Sequence, residues 1–250
     1  MSFPRVSAPR AAWRLLRALL QLAKGLLIVR LRFAGLDAAG RQREIQRWSA
    51  GVLSALGVRL VVEGHPRPGA ALVVSNHVSW LDIAALHASC PQARFVSKAD
   101  VLAWPVVGWL VRSVGTLFIE RASKRDALRV VHQMAQALAQ GDCVAVFPEG
   151  TTSDGQGVLP FHANLLQAAI AHGVPIQPAV LRYADPQHAV SPAAEFIGNT
   201  TLLQSLWNIV SARDLTVRVR WLPAQASAHA DRRALAQVLQ QQVEQGLLDL

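Results

Sequence analysis

The sequence predicts an α/β fold, in which a mostly parallel sheet is covered by helices on both faces and is preceded by an N-terminal helix pair. Three observations lead to this prediction. Short apolar runs alternate with helical segments from residue 59 onward, most of the net positive charge lies in the first 48 residues, and 52% of the residues are hydrophobic while 16% are charged. Alternating strands and helices are typical of parallel sheets.

The N-terminal segment is strongly basic. In residues 1–48, ten Lys or Arg residues outnumber Asp37 and Glu44, so this segment holds +8 of the chain's +9 net charge. Residues 11–33 predict an amphipathic helix, because polar residues recur at three- and four-residue steps between leucines. The polar stripe consists of Arg10, Arg14, Arg17, Gln21 and Lys24.

Three arrangements of this helix fit the pattern. It lies in a membrane interface with its Arg and Lys side chains reaching the headgroups, it spans the bilayer with snorkelling cations, or it packs on the body with a solvated stripe. We favour the first, with a second helix over about Arg41–Leu56 completing a membrane-associated pair within residues 1–58. Nucleic acid is not an expected partner, because the stripe lacks base-reading polar residues.

The body, residues 59–250, reads as one domain of alternating elements. Strands are predicted at 59–65, 70–76, 93–99, 116–121, 143–150, 175–183 and 215–223, and helices at 81–88, 124–140, 161–172 and 231–250. Functional residues of such sheets gather where strands give way to loops. His77 and Glu149 both stand at predicted strand ends.

The two cysteines, Cys90 and Cys143, are far apart in the sequence and form no CxxC motif. We expect them in different apolar settings of a protein from a reducing compartment. No Cys/His spacing typical of zinc is present, so no metal is expected, and no secretory cleavage site follows the N-terminal apolar run.

The first candidate site is the stretch SNHVSWLD, residues 75–82. Asp82 can simply cap the helix that it begins, because a negative side chain interacts favourably with the positive end of the helix dipole. Because the loop leaves a buried strand, however, Asp82 can also fold back on His77, hold one ring N–H and leave the other nitrogen to accept a proton. Histidine is suited to that role at neutral pH.

Two further stretches offer polar groups at strand ends. In FPEGTTS, residues 147–153, Glu149 stands among small residues that include Gly150 and Thr151. Its carboxylate binds polyol hydroxyls or orients the base, or the stretch forms an ordinary polar turn. In GTLFIER, residues 115–121, Arg121 either pairs with a nearby acid or grips a phosphate through a bidentate contact. A fourth stretch, VPIQP at 174–178, begins a strand whose prolines shape a pocket wall.

Taken together and in this order, the four stretches resemble the four conserved blocks of the glycerolipid acyltransferases, best known as lysophosphatidic acid acyltransferases. The segment FVSKADVLAWPVVG, with Lys98 in place, is also similar to the family's region between the first two blocks. The resemblance spans about residues 60–185.

This resemblance implies a membrane-associated O-acyltransferase of phospholipid biosynthesis, on the cytoplasmic face of the inner membrane. It implies direct transfer from acyl-CoA or acyl carrier protein, without a further cofactor, to the hydroxyl of a lysophosphatidic acid-type lyso-lipid. His77 would be the base and Asp82 would orient it. Lys98, Arg121, Glu149, Gly150 and Thr151 would bind or shape the acceptor, while anionic lipids would hold the protein at the membrane.

Departures from the family pattern leave the acceptor open. Thr152 stands where many phosphate-using members have arginine, His162 and Asn164 replace lysine and glycine, and Gln177 replaces an aliphatic residue. Another lysophospholipid or a lyso-aminolipid such as lyso-ornithine lipid is the alternative acceptor. Two other functions are a non-catalytic lipid-binding protein and a Ser hydrolase using Ser75 or Ser79, but the latter lacks a nucleophile elbow.

Overall fold

A single twisted sheet organises the protein in the computed structural model, which describes residues 2–103, 107–119 and 124–250. The sheet has seven strands among these residues: β1 (Arg59–Glu63), β2 (Ala71–Ser75), β3 (Ala93–Lys98), β4 (Leu117–Ile119), β5 (Cys143–Val146), β6 (Ile176–Ala184) and β7 (Thr216–Trp221). Each predicted strand is present, although most are shorter than predicted because their ends turn into loops.

The helices alternate with the strands as predicted. They are α1 (Ala8–Leu31), α2 (Ala38–Leu56), α3 (Asp82–Ser89), α4 (Val107–Ser113), α5 (Lys124–Ala139), α6 (Gln167–Ile170), α7 (Leu202–Ser211) and α8 (Arg232–Leu248). The prediction of one helix over 161–172 was wrong, since this region forms a 3₁₀ turn at Ala163–Leu166 followed by the short α6.

The strand order β1-β7-β6-β2-β5-β3-β4 creates a switch point beside β2. The chain leaves β2 towards β3 on one side, whereas it leaves β5 towards β6 on the other side. All pairs are parallel except β6 with β7. Connections that diverge from neighbouring strands open a crevice at their carboxyl ends, which is where α/β sheets bind ligands. The mostly parallel sheet is therefore confirmed, and it places the ends of β2 and β5 at this crevice.

Helices cover both faces of the sheet, as predicted. Ala71 and Val73 of β2 join a core with α2, α3 and α7, while Leu72 and Val74 join a second core with α5, α6 and α8. These four side chains are almost fully buried. A strand apolar on both faces is typical of a parallel sheet covered on both sides.

The N-terminal helices α1 and α2 form a hairpin that packs on the body. Asp37 caps α2 by accepting from the Gly40 amide at 2.7 Å. Trp48 and Gln21 exchange side-chain-to-backbone hydrogen bonds of 2.8 and 3.0 Å across the hairpin. A Cβ on Gly25 would lie 2.4 Å from the Trp48 ring, so only glycine permits this close approach.

The orientation of α1 corrects the predicted role of its polar stripe. Arg14 is buried and donates to the carbonyls of Val210 and Ala212 at 3.0 and 2.6 Å, and Arg17 donates to Ser54 of α2. The guanidinium of Arg14 is bound there because the last carbonyls of α7 lack helical donors. The leucine-rich face of α1 points outward instead. No helix among the described residues is long and apolar enough to cross a bilayer.

The cysteines are also placed differently from the expectation. The sulfurs of Cys90, at the end of α3, and Cys143, at the start of β5, lie 3.9 Å apart as buried free thiols. They share one apolar setting because β3, which follows α3, pairs with β5. The hydrogen bond with Cys143, followed by burial, raises the pKa of the Cys90 thiol.

Candidate active site

The site begins where β2 ends, at a buried asparagine. The Asn76 side chain donates to the Leu181 carbonyl and accepts from the Leu181 amide, both at 2.8 Å. This pair of bonds continues the contact between β2 and β6 after the strand ladder stops. Because Asn76 is anchored in this way, the chain turns at a defined point and presents His77 at the crevice.

The structure brings His77 and Asp82 into direct contact. His77 Nδ1 lies 2.8 Å from Asp82 Oδ2, which also accepts from the amides of Val78 and Ser79 at 2.8 and 3.0 Å. Asp82 begins α3, so the carboxylate also faces the positive end of that helix. The structural and functional interpretations of Asp82 are thus compatible, since one oxygen serves the loop and the imidazole together.

Tyr183 completes the surroundings of the carboxylate. Its hydroxyl donates to Asp82 Oδ1 at 2.8 Å from the opposite side, on β6. Burial, followed by the nearby Asp82 charge, raises the pKa of Tyr183 well above its usual value, so the phenol stays a neutral donor. Sequence reasoning missed this residue, although it is the chain's one tyrosine and ends a buried strand.

The hydrogen bonds decide which ring nitrogen of His77 is free. Asp82 Oδ2 receives two backbone N–H groups and can only accept, so Nδ1 carries the proton that it donates. Among the described residues, His77 Nε2 has no hydrogen-bond partner, and the side chain is 19% exposed. The arrangement therefore leaves a proton-accepting nitrogen facing the crevice.

An aromatic ring fixes the plane of the imidazole. Phe147, which follows β5, stacks on His77 with ring centroids 4.0 Å apart and an interplanar angle of 9°. Phe95 of β3 lies behind Phe147 at 5.9 Å. The ring of His77 is thus held between an aromatic wall and a carboxylate, which restricts its rotation before any substrate binds.

Glu149 ties the loops after β2 and β5 together. Its Oε1 accepts from the His77 amide at 2.7 Å and its Oε2 accepts from the Leu159 amide at 2.9 Å. Burial raises the pKa of Glu149, and the two amide bonds act in the opposite direction. The carboxylate positions the backbone of His77, the base that one interpretation of the sequence expected it to orient.

The next residues line the rim of the site. Gly150 has φ of +71°, and a Cβ there would lie 3.1 Å from the His162 ring. Thr151 is exposed beside it. Ser153 turns back and donates its amide to the His77 carbonyl at 2.7 Å. His162, which the sequence singled out as a departure, therefore adjoins this rim.

Thr152 binds the connection between β6 and α7. Its hydroxyl donates to the carbonyl of Phe196, whose own amide donates to the Val78 carbonyl at 3.2 Å. The segment around Phe196 thereby covers the loops that carry His77 and Glu149. Sequence reasoning missed Phe196, because no local pattern links it to residues more than 40 positions earlier.

The remaining predicted residues lie at or beyond the limits of the described chain. Lys98 ends β3, where its backbone pairs with Ile119, and its side chain is outside the described part. Arg121 lies outside the described residues altogether. The structure therefore brings together His77, Asp82 and the 149–151 rim.

Gln177 has a structural role. This corrects the interpretation in which Gln177, as a departure from the family pattern, bears on the identity of the acceptor. Its amide group donates to the carbonyls of His65 and Leu222, and its oxygen accepts from the Arg67 amide at 2.6 Å. It pairs with Val73 inside the sheet, two residues before the end of β2. Gln177 thus joins the β1–β2 turn to β6 and the end of β7.

Comparisons with known proteins agree with this arrangement. The family model described as Acyltransferase matches residues 59–182. The 1-acyl-sn-glycerol-3-phosphate acyltransferase of Neisseria meningitidis serogroup B is 37% identical over 243 residues, covering 94% of this chain and 93% of that protein. The lyso-ornithine lipid O-acyltransferase of Pseudomonas aeruginosa is 38% identical, covering 88% of this chain and 84% of that protein.

A solved structure shares the fold. The crystal structure of the 1-acyl-sn-glycerophosphate acyltransferase from Thermotoga maritima has a TM-score of 0.68 at 22% identity, covering 94% of this chain and 97% of that chain. Sequence similarity to the curated relatives extends along nearly the whole chain and includes the segment that holds His77 and Asp82. The chain therefore belongs to the glycerolipid acyltransferase family and is an O-acyltransferase.

Proposed function

We propose that this enzyme transfers a fatty acyl group from a thioester, acyl-CoA or acyl carrier protein, to the free hydroxyl of a lyso-lipid, with His77 as general base. The observation that carries the proposal is that Asp82 holds Nδ1 of His77, while Nε2 has no hydrogen-bond partner in the described part of the chain and the side chain is 19% exposed. No additional cofactor is required, because a thioester is already an activated acyl donor.

The reaction balances with these groups alone. The acceptor hydroxyl gives its proton to His77 Nε2 while its oxygen forms a bond to the thioester carbonyl carbon. The tetrahedral intermediate then expels the sulfur, the C–S bond breaks, and the imidazolium returns the proton to the leaving thiolate. Asp82 stabilises the transient imidazolium charge, which makes its buried position useful for catalysis.

The first candidate acceptor is a lysophosphatidic acid-type lipid, which the name of the Neisseria meningitidis relative supports. In this assignment Arg121 and Lys98 hold the acceptor's phosphate, and Glu149, Gly150 and Thr151 shape the pocket. Arginine suits phosphate because its fork of donors binds two oxygens at once.

The second candidate acceptor is a lyso-aminolipid such as lyso-ornithine lipid, and Thr152 favours it. The Thr152 hydroxyl donates to the Phe196 carbonyl and is thus already used within the protein. The Pseudomonas aeruginosa relative is named for such an acceptor.

The proposed location is the cytoplasmic face of the inner membrane. In this proposal residues 1–58 supply membrane association, with α1 presenting its apolar face to lipid and α2 supporting it from behind, and residues 59–250 carry the acyl transfer. The outward leucines of α1 support interfacial binding, and its exposed cations Arg10, Lys24 and Arg30 favour anionic lipid.

The test offers the purified enzyme lysophosphatidic acid, another lysophospholipid and lyso-ornithine lipid, each with acyl-CoA and with acyl carrier protein. We expect transfer to one acceptor class, and His77→Ala to lower kcat by a factor of about 10² to 10⁴. His132→Ala, an exposed histidine on α5, is the matched control and should retain full activity. Equal activity of His77→Ala and wild type would overturn the assignment of the base.

A further inference from the structure

The exposed apolar side chains are concentrated on two helices that contact each other. Of the sixteen large hydrophobic residues that are exposed in the described part of the chain, nine lie on α1 and α7. We call this set the α1–α7 surface: Trp13, Leu16, Leu19, Leu20, Leu27, Leu31, Leu202, Leu203 and Trp207. An apolar surface of this kind marks a protein or membrane contact.

Helix α7 presents its apolar residues outward from a well-defined start. Leu203 and Trp207, one helical turn apart, are 78% and 44% exposed, while Ile209 and Val210 are buried in the core. A capping box between Thr201 and Gln204 fixes the first turn. The exposed leucine and tryptophan are thus held on a capped helix and are not the ends of a frayed segment.

The two helices are joined at one end. The Val6 amide, just before α1, donates to the Ser211 carbonyl at 2.8 Å, and buried Arg14 donates to the carbonyls of Val210 and Ala212. The beginning of α1 therefore lies beside the end of α7, and both helices carry exposed apolar residues. Helix α2 differs, because its exposed positions are small or polar, including Arg41, Arg43 and Arg47.

Helix α7 is also connected to the active-site loop. Trp80 lies three residues after His77 in the chain. Its Nε1 donates to Ser205 Oγ of α7 at 3.0 Å. Just before α7, Phe196 bonds to Val78 and receives the Thr152 hydroxyl bond, and the neighbouring Ile197 is exposed. A membrane that binds α7 is therefore linked to the loop that carries His77 through a helix that this loop contacts directly, by the bond from Trp80 to Ser205.

We propose that α7, and not α2, is the second membrane-contacting element, and that it seats the active site against an anionic bilayer. The inference rests on the proposed function, because a lyso-lipid acceptor resides in that bilayer. Charge complementarity selects the occupant: neither α1 nor α7 contains Asp or Glu, and α1 exposes Arg10, Lys24 and Arg30. Leucine flanked by tryptophan and cations is the composition of an interfacial helix.

The experiment measures binding of the full chain to vesicles of equal parts phosphatidylcholine and phosphatidylglycerol. We expect Leu203→Glu to weaken binding about tenfold, because a leucine leaves the apolar layer and a like charge meets the anionic headgroups. Leu20→Glu on α1 tests the proposed membrane association itself. Leu248→Glu is the matched control, since this leucine is 72% exposed on α8, which packs on the other face of the sheet.

Activity gives a second readout. Leu203→Glu should slow transfer to an acceptor embedded in vesicles while leaving transfer to the same acceptor in detergent micelles unchanged, which excludes a folding defect. If Leu203→Glu binds vesicles as tightly as Leu248→Glu while Leu20→Glu is impaired, α7 is not a membrane element and the proposed function stands. If wild type does not bind vesicles, or if Leu20→Glu binds them as tightly as wild type, the membrane association fails independently.

Discussion

The charge of Asp82 provides the most direct test of the site. In Asp82→Asn, the side-chain amide should orient its oxygen towards the position of Oδ2, because its amino group there would face three donors. The oxygen then keeps the bonds from Val78, Ser79 and His77. Tyr183 can rotate its hydroxyl to accept from the new amino group. The geometry of the imidazole is thus retained, and the substitution removes mainly the negative charge.

The expected loss follows from that charge. A full charge about 4 Å from the imidazolium contributes about 4 kcal/mol at an effective dielectric constant of about 20. Because the proton is only partly transferred in the transition state, we expect a loss of about 2–4 kcal/mol, which lowers kcat by a factor of about 30 to 1,000. KM should change little, since Asp82 is fully buried and does not face the acceptor.

The assay follows thiol release from the donor with a lyso-lipid acceptor in detergent micelles, together with thermal unfolding. Asp185→Asn is a matched control, because Asp185 is likewise an aspartate that lies 2.9 Å from a histidine Nδ1, that of His188, but its hydrogen-bond partners are His188, Gln187 and Ser191 and do not include His77. It should lower stability without the same loss of kcat. If Asp82→Asn keeps more than a third of the wild-type kcat while folding normally, the carboxylate does not assist His77 and the mechanism is wrong.

Three other substitutions test neighbouring contacts. Gly150→Ala should lower kcat or raise KM, because it strains a left-handed backbone and pushes against His162, and steady-state kinetics beside thermal unfolding will show this. Tyr183→Phe leaves an oxygen of buried Asp82 without its donor and should cost about 1–3 kcal/mol in denaturant unfolding, and an unchanged midpoint would contradict this. His87 is buried and its pKa is lowered to about 4, chiefly by burial, so the unfolded chain binds the proton first as pH falls below the ordinary value of 6.5. The free energy of unfolding should therefore fall by about 3 kcal/mol between pH 6.5 and 4, and His87→Gln, which keeps a donor, should lose most of this dependence.

Much of the fold was predictable because its signals are local. The apolar runs of β2 and β5 and the helical periods of α5 and α8 are contained within single elements, so each could be assigned without its neighbours. The pairing of His77 with Asp82 was predictable for the same reason, since five residues separate them. The antiparallel placement of β7 carries no comparable local signal.

The outer parts of the site depend on contacts between distant segments. Tyr183 meets Asp82 across 101 positions, and Asn76 meets Leu181 across 105. Such contacts form only when folding brings parallel strands side by side, so no residue spacing in the sequence predicts them. Thr152 shows the consequence, because its departure from the family pattern was visible whereas its bond to Phe196 was not.

The sequence by itself determined the family, the α/β layers and the local pair of base and carboxylate, because these are written in short segments of hydrophobic pattern and polar spacing. Only the tertiary structure decided which face of α1 meets the body. An amphipathic helix has two faces, and guanidiniums such as that of Arg14 can be satisfied by water, by headgroups or by the free carbonyls at the end of α7. The choice among them depends on the partner that folding brings near, which left the leucines outward.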